Sequence, residues 1–462
     1  MRLDLAGICY GPIAAGRGGR HNNIAIGSLP RKATALLTAA RNDMLTRVGP
    51  GTPMGNLLRR YWMPIAGASE FNENPVKPVR FFGEDLTLYK DLGGRFGLIA
   101  RHCPHRGADL SCGTVEERGI RCFYHGWKFD ERGQCLEQPY EDIVNPNPKS
   151  REACAAAAYP VRELAGLLWA YMGPEPAPEL PVWEPFTFAN GFREIVLAEV
   201  PCNWFQCQEN SIDPVHFEWM HENWSARLRG EDKKAARHLK IAYDEFEHGF
   251  IYRRIREGGD EKDVNWSVGR VALWPNAFYL GMHFEWRVPI DDENTLSVAW
   301  FFMRVPKGNE PYVQDSVPTW VSPTRDERGQ WIVSHVINQD IVGWIGQGAI
   351  ADRSKENLRS SDIGITMMRK RFFDDLDKVA KGQDPSGIVR DAAAARCVAL
   401  PDVMRTYNVE GVPLDDYDKH PLLRERLAGF RHHYGQPPEV RRAFEKAMGI
   451  AKELRGPDAA QR

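Results

Sequence analysis

A chain of 462 residues with 60 basic against 62 acidic side chains, net charge -2, offers no electrostatic pull toward nucleic acid or an anionic membrane. No apolar run reaches the roughly eighteen residues that a membrane span requires. The nine cysteines show no framework spacing and read as reduced thiols of a cytoplasmic protein, any special one serving a metal.

Residues 1–43 stand apart, with six basic residues and Asp4 as the one acid in the first forty-one. They read as a disordered extension ahead of a natural start near Met44, without the charged, apolar, small-residue order of a targeting peptide. From Met44, turn chemistry at Gly49-Pro50-Gly51 leads into a short helical stretch that ends before Pro64. "PVRFFGEDLTLYKDLGGRFGLIA" then predicts short strands turning at Gly93-Gly94, and "GWKFDERGQCLEQP" a hairpin turning at Arg132-Gly133. The Pro-rich text around 175–185 marks a boundary, which divides the chain into 44–175, 176–456 and a tail, 457–462. Beyond it "NWFQCQENSIDPVHFEWMHENW" reads as helical, 240–305 as strands, and the chain from about 328 as helical again. The fold class expected is α+β.

Cys103-x-His105 and Cys122-x2-His125 lie on loops between the hairpins. Four ligands of two types, delivered as two short pairs, can surround a compact metal centre. A structural zinc site is the competing reading, but zinc modules usually pair like with like, whereas each loop here supplies one Cys and one His. Mixed pairs suit a two-iron cluster with thiolates on one iron and imidazoles on the other.

"CPHRGADL" followed by "CFYHGWKFD" resembles the Rieske [2Fe–2S] signature in the wording of the aromatic-ring-hydroxylating oxygenases. By that resemblance Cys103 and Cys122 hold the iron that stays ferric, and His105 and His125 the one that is reduced. A cluster alone only moves an electron, and more than 250 further residues ask for a second site.

In "QENSIDPVHFEWMHENW" the polar residues Asp213, His216 and His221 break an aromatic and apolar stretch. Asp213 and His216, three apart, share a helix face. His216 and His221 are five apart, about 140° out of line on a regular α-helix, so the turn between them must be widened or broken for both to reach one metal. Two histidines and a carboxylate with open positions suit non-haem Fe(II) and O₂. The pattern D-x2-H-x4-H resembles the mononuclear-iron motif of the same oxygenases, whose third ligand sits on a late helix. Ile337, Ile341 and Ile345 predict such a helix, and the resemblance aligns its carboxylate with Asp340 in "NQD", Asp352 and Glu356 being the alternatives.

The resemblance covers about residues 44–380 and is greatest to the phthalate-dioxygenase-like branch, on "LTRVGPGTPMGNLLRRYWMP", "RVPIDD" and "ADRSKENL". That branch contains ring dihydroxylases and O-demethylases of methoxyarenes. It implies an N-terminal all-β Rieske domain and a C-terminal helix-grip-like domain of antiparallel sheet and helices. The implied cofactors are one Rieske [2Fe–2S] cluster and one mononuclear Fe²⁺, and the activity is that of a terminal oxygenase on an aromatic, carboxylated compound and O₂. A Rieske electron carrier or a zinc-binding protein is the alternative. No dinucleotide loop is convincing, "GRGGR" following no strand, so NAD(P)H is used by a flavin and iron-sulfur reductase, with or without a ferredoxin. The implied assembly is a head-to-tail trimer or stacked trimers, in which Asp213 links His216 to His125 of the partner subunit.

Arg253 and Arg254 in "FIYRRIREG" could turn one guanidinium toward a substrate carboxylate, although a solvated strand is the plainer reading. His102 and His335 are expected as packing or surface residues, and Cys112, Cys135, Cys202 and Cys207 as small buried ones.

Overall fold

The computed structural model describes residues 37–228, 230–232, 236–281, 283–403 and 435–449. The expected extension loses its last residues to the fold. An α-helix runs from Ala39 to Thr46, capped by Thr38, whose hydroxyl accepts from the Arg41 N–H, and Asn42 is buried against Arg353 and the Ala351 carbonyl. The boundary at residue 43 is therefore corrected, since Arg41 and Asn42 belong to a packed helix. Residues 1–36 and the proposed tail 457–462 lie outside the described residues.

Among the described residues, eleven short strands fill the first half: β1 (Trp62–Gly67), β2 (Val76–Phe81), β3 (Glu84–Lys90), β4 (Phe96–Ala100), β5 (Thr114–Val115), β6 (Ile120–Arg121), β7 (Lys128–Phe129), β8 (Cys135–Glu137), β9 (Ala158–Tyr159), β10 (Val161–Leu164) and β11 (Leu167–Tyr171). They form three sheets, β2-β3-β4-β9, β5-β6-β7-β8 and β1-β11-β10. The expected turns are present, at Gly94 and Gly133, both with positive φ.

Among the described residues, the strands of the second half form one eight-stranded sheet made of β12 (Gly191–Val200), β13 (His238–Phe246), β14 (Gly249–Arg256), β15 (Arg270–Leu273), β16 (Ala277–Leu280), β17 (His283–Pro289), β18 (Thr295–Arg304) and β19 (Thr319–Val321). Its order is β13-β14-β15-β16-β17-β18-β12-β19, antiparallel except for β12 with β19. Alternation along β17 and β18 divides the residues between two faces. Phe284, Trp286, Val288, Trp300 and Phe302 point into a core continuous with Trp169 and Tyr171 of the first half, where Trp169 meets Trp286 edge-on at 5.2 Å. The opposite face, with Ala198 and Val200, receives Ile341 and Trp344 of the helix Val336–Ile345. That helix covers the span expected from the isoleucine spacing. The architecture is α+β, and no helix among the described residues is long and apolar enough to cross a membrane.

Candidate metal centres

The two loops that carry the Cys/His pairs are built alike. The Cys103 N–H donates to the Ala108 carbonyl at 2.8 Å and the Cys103 carbonyl accepts from the Gly107 N–H at 2.9 Å. Cys122 repeats this with Trp127 and Gly126, at 2.8 and 3.0 Å. Each turn closes through a glycine at positive φ, +73° at Gly107 and +75° at Gly126, where a side chain would strain the backbone. Both cysteines are buried in a small core with Leu110, Ile120 and Phe129, while His105 and His125 are exposed above them. The imidazoles meet edge-on at 4.5 Å, and His105 stacks flat on Trp127 at 4.4 Å. Burial pushes the Cys103 thiol up, so a bound metal, not the protein around it, would hold the thiolate form. Thiols inside and imidazoles outside fit a two-iron cluster that exchanges electrons at a surface.

The second centre rests on three segments. The helix Trp204–Asn210, capped by Asn203, is buried along nearly its whole length and carries Asn210 toward the site. Gln206 ties it to the late helix, donating to the Trp344 and Gly348 carbonyls at 2.8 Å each and accepting from the Ala351 N–H. Between these helices the chain forms a π-helix, Phe217–Glu222. This is the local irregularity expected from the five-residue spacing: a turn closed i to i+5 brings His216 and His221 to one side.

His216, His221 and Asp340 each offer an atom within 4.8 Å of the others'. The Asp340 carboxylate lies 3.3 Å from His221 Nε2 and 3.6 Å from His216 Nε2, and accepts from the Asn210 amide at 3.3 Å. Burial pushes the Asp340 carboxyl up, but the two imidazoles outweigh it and hold it below the usual range. Asp213 sits 3.7 Å from His216 Nδ1 and accepts from the Val215 N–H at 2.7 Å. The alternatives to Asp340 point elsewhere, Asp352 to Lys355 at 2.8 Å and Glu356 to Arg369 at 2.7 Å. Two imidazoles and a carboxylate, with His216 only half-buried, fit an Fe²⁺ ion that keeps free positions.

Sequence reading passed over two neighbours. Gln339 Oε1 faces His221 Nδ1 at 2.9 Å, and Gln339 Nε2 donates to the Val333 carbonyl at 2.9 Å, which fixes the amide's orientation. With a metal on Nε2, the His221 proton would sit on Nδ1, where Gln339 Oε1 accepts it. The signal was the polar triplet "NQD" inside an apolar helix. Asn210 was equally visible, as the last polar residue of "QEN". His335 caps the late helix, accepting from the Ile337 N–H at 3.3 Å, and Cys112 is exposed, contrary to the expectation of burial.

Residues 61–148 match the Rieske [2Fe-2S] domain family, and residues 324–406 the family described as LigXa C-terminal domain like. Over 422 residues the chain is 55% identical to the 5,5'-dehydrodivanillate O-demethylase oxygenase subunit of Sphingobium sp. strain SYK-6, covering 91% of this chain and 99% of that one. The chain belongs to the Rieske oxygenase family. This Rieske oxygenase is also 31% identical to the phthalate 4,5-dioxygenase oxygenase subunit of Pseudomonas putida, over 78% of this chain and 91% of that one. It shares its fold with NdmA of Pseudomonas putida CBB5, at a TM-score of 0.52 and 19% identity over 73% of this chain and 97% of that one. It is a terminal oxygenase, with a Rieske [2Fe–2S] cluster and a mononuclear non-haem iron as its cofactors, and not a free-standing electron carrier or a zinc protein. Rieske oxygenases of this kind work with reductase or ferredoxin partners and form oligomers.

Proposed function

We propose that this oxygenase O-demethylates a methoxylated aromatic acid, with its cluster on Cys103, His105, Cys122 and His125 and its iron on His216, His221 and Asp340. The observation that carries the reading is the convergence of His216, His221 and Asp340, from a π-helix and a distant helix, within 4.8 Å. The 55% identity to an O-demethylase subunit supports this reaction among those of the family. We divide the chain into a cluster part ending near residue 175 and a catalytic part from 176, and take the partner to be a cytoplasmic NAD(P)H-dependent flavin and iron-sulfur reductase. The assembly is a trimer or stacked trimers, in which Asp213 bridges His216 to His125 of the partner subunit.

When bound, the cluster would supply single electrons and the iron O₂ activation; hydroxylation of the methoxyl carbon, with two electrons from NAD(P)H and the second oxygen atom leaving as water, gives a hemiacetal that splits into formaldehyde and a phenol. The chain's own residues orient the pieces. Gln339 fixes the tautomer of His221, and Asn210 holds the carboxylate of Asp340.

An acidic substrate is favoured by the arginines. Arg253 faces outward, held by Asp244 at 2.8 Å and by the carbonyls of Trp266 and Ser267. Arg254 is buried, and its guanidinium and that of Arg270 lie over the Phe217 ring at 4.9 and 4.7 Å, with Phe217 itself 5.2 Å from the His221 ring. Among the described residues no carboxylate lies within ion-pair reach of Arg270, which leaves positive charge beside the iron site for an anionic ring substituent.

The test is turnover of a methoxybenzoate by the holoenzyme with NADH and a reductase. One formaldehyde and one phenol per O₂ are expected. A dihydrodiol without formaldehyde would overturn demethylation in favour of ring dihydroxylation.

A further inference from the structure

The π-helix that carries both histidines poses a physical problem. One extra residue in a helical turn is unfavourable and persists only where the surroundings stabilise it. In the relaxed α-helical form, His216 and His221 would face directions about 140° apart. Something in the chain must therefore hold the segment Phe217–Glu222 in its wide turn, besides the contacts of the two histidines themselves.

Glu218 is placed to do so. It is fully buried, in the first half of the π-helix, two residues past one histidine and three before the other. Its carboxylate meets two guanidinium groups and an imidazole of the β13–β14 hairpin: Arg254 Nε at 3.3 Å, Arg256 Nη1 at 3.2 Å and His238 Nε2 at 2.9 Å. Strand geometry delivers all three together. Arg254 and Arg256 are two apart on β14 and so share a face, and His238 stands directly across from Arg256 in the β13–β14 register. The same face reaches the rest of the turn. Arg256 also pairs with Glu222 at 3.0 Å, and Arg254 and, from β15, Arg270 lie over Phe217. Every contact runs from the sheet to the π-helix, and none involves a candidate iron ligand.

We propose that Glu218 is the positioning residue of the mononuclear site: clamped by Arg254, Arg256 and His238, it holds the wide turn that brings His216 and His221 to one point. The inference rests on the reading of His216, His221 and Asp340 as the iron ligands. A carboxylate is costly to bury unless positive charge meets it, and here that charge comes from the hairpin, with Arg256 Nη1 donating to Glu218 at 3.2 Å and the Arg254 guanidinium beside it. The clamp acts through helix shape, so its loss should loosen the iron while leaving the cluster as it was.

The experiment compares holoenzyme with the Glu218→Gln variant, which keeps shape and removes charge, and with Arg256→Gln, whose half-exposed side chain can be altered even if Glu218→Gln does not fold. Glu257→Gln, which breaks an exposed pair with Arg237 on the same hairpin, is the control for hairpin stability alone. The readouts are the rate of mononuclear iron loss to a chelator, the absorption of the cobalt-substituted site, and the visible spectrum of the cluster. Expected are iron loss at least about tenfold faster and an altered cobalt spectrum in both clamp variants, at unchanged cluster spectrum, with the control like wild type. Wild-type retention of iron by the clamp variants would overturn the proposal, as would parallel loss of cluster and iron, or an equal effect in the control. If wild type itself holds no third iron, the ligand reading fails and takes this inference with it, an outcome distinct from a clamp that does nothing.

Discussion

Replacing Gln339 with Leu removes the oxygen that faces His221 Nδ1 at 2.9 Å while keeping most of the side-chain volume. Gln339 is 1% exposed and its amide is held by the Val333 carbonyl, so water is poorly placed to take over the lost partner. Two costs follow. The Nδ1–H of an iron-bound His221 is left unpaired in a buried site, a loss of roughly 1–3 kcal/mol. The imidazole is also freed to carry its proton on Nε2, which faces Asp340 at 3.3 Å and is the atom the metal needs. Together these match the roughly 10- to 100-fold loss of metal affinity usual when a histidine ligand loses its outer partner, or about 1.4–2.7 kcal/mol. The assay is titration of iron-depleted, cluster-containing protein with Fe²⁺ under anaerobic conditions, with the cluster spectrum as internal control. An affinity within twofold of wild type would refute the role given to Gln339, and a weakened cluster would show that the substitution acts through general damage.

Asp213→Ala is expected to retain both metals and lose turnover by roughly 10- to 100-fold, read as NADH-driven formaldehyde release against iron content; normal turnover would dismiss the inter-subunit bridge. Arg270→Gln should raise the KM for a methoxybenzoate by about an order of magnitude through loss of a charge-assisted hydrogen bond, while a neutral methoxyarene is unaffected; equal effects on both would count against carboxylate recognition. Glu194 is fully buried beneath Trp320 and Gln436, and burial raises its carboxyl from 4.5 to about 7. Between those values the folded chain binds more protons than the unfolded one, so stability falls as pH rises across the window. Glu194→Gln should therefore stabilise the protein at pH 8, by at most ~3 kcal/mol, with the gain vanishing below about pH 4.5, as measured by urea unfolding at both pH values.

What could be read without coordinates were features whose chemistry is local. Cys103, His105, Cys122 and His125 sit within two short loops, and the five-residue interval from His216 to His221 already ruled out a regular helix, an expectation met by the π-helix. The late helix followed from three isoleucines, and the strands of 240–305 from their alternation. What stayed hidden depends on pairing between distant segments. Arg254 looked like a surface arginine because nothing in "FIYRRIREG" says that the β13–β14 register lays it beneath Glu218. Ala39 to Asp43 were assigned to an extension on the basic composition of the chain's start, whereas the place of their helix is set by Asn42 reaching Arg353 across more than three hundred residues.

The most direct measurement is iron and acid-labile sulfide per chain in wild type and in Asp340→Ala. The account predicts about three irons and two sulfides in wild type, falling to about two irons and two sulfides in the variant, with the cluster spectrum intact. Three irons retained without Asp340, or a wild type with two irons and nothing at the second site, would contradict it.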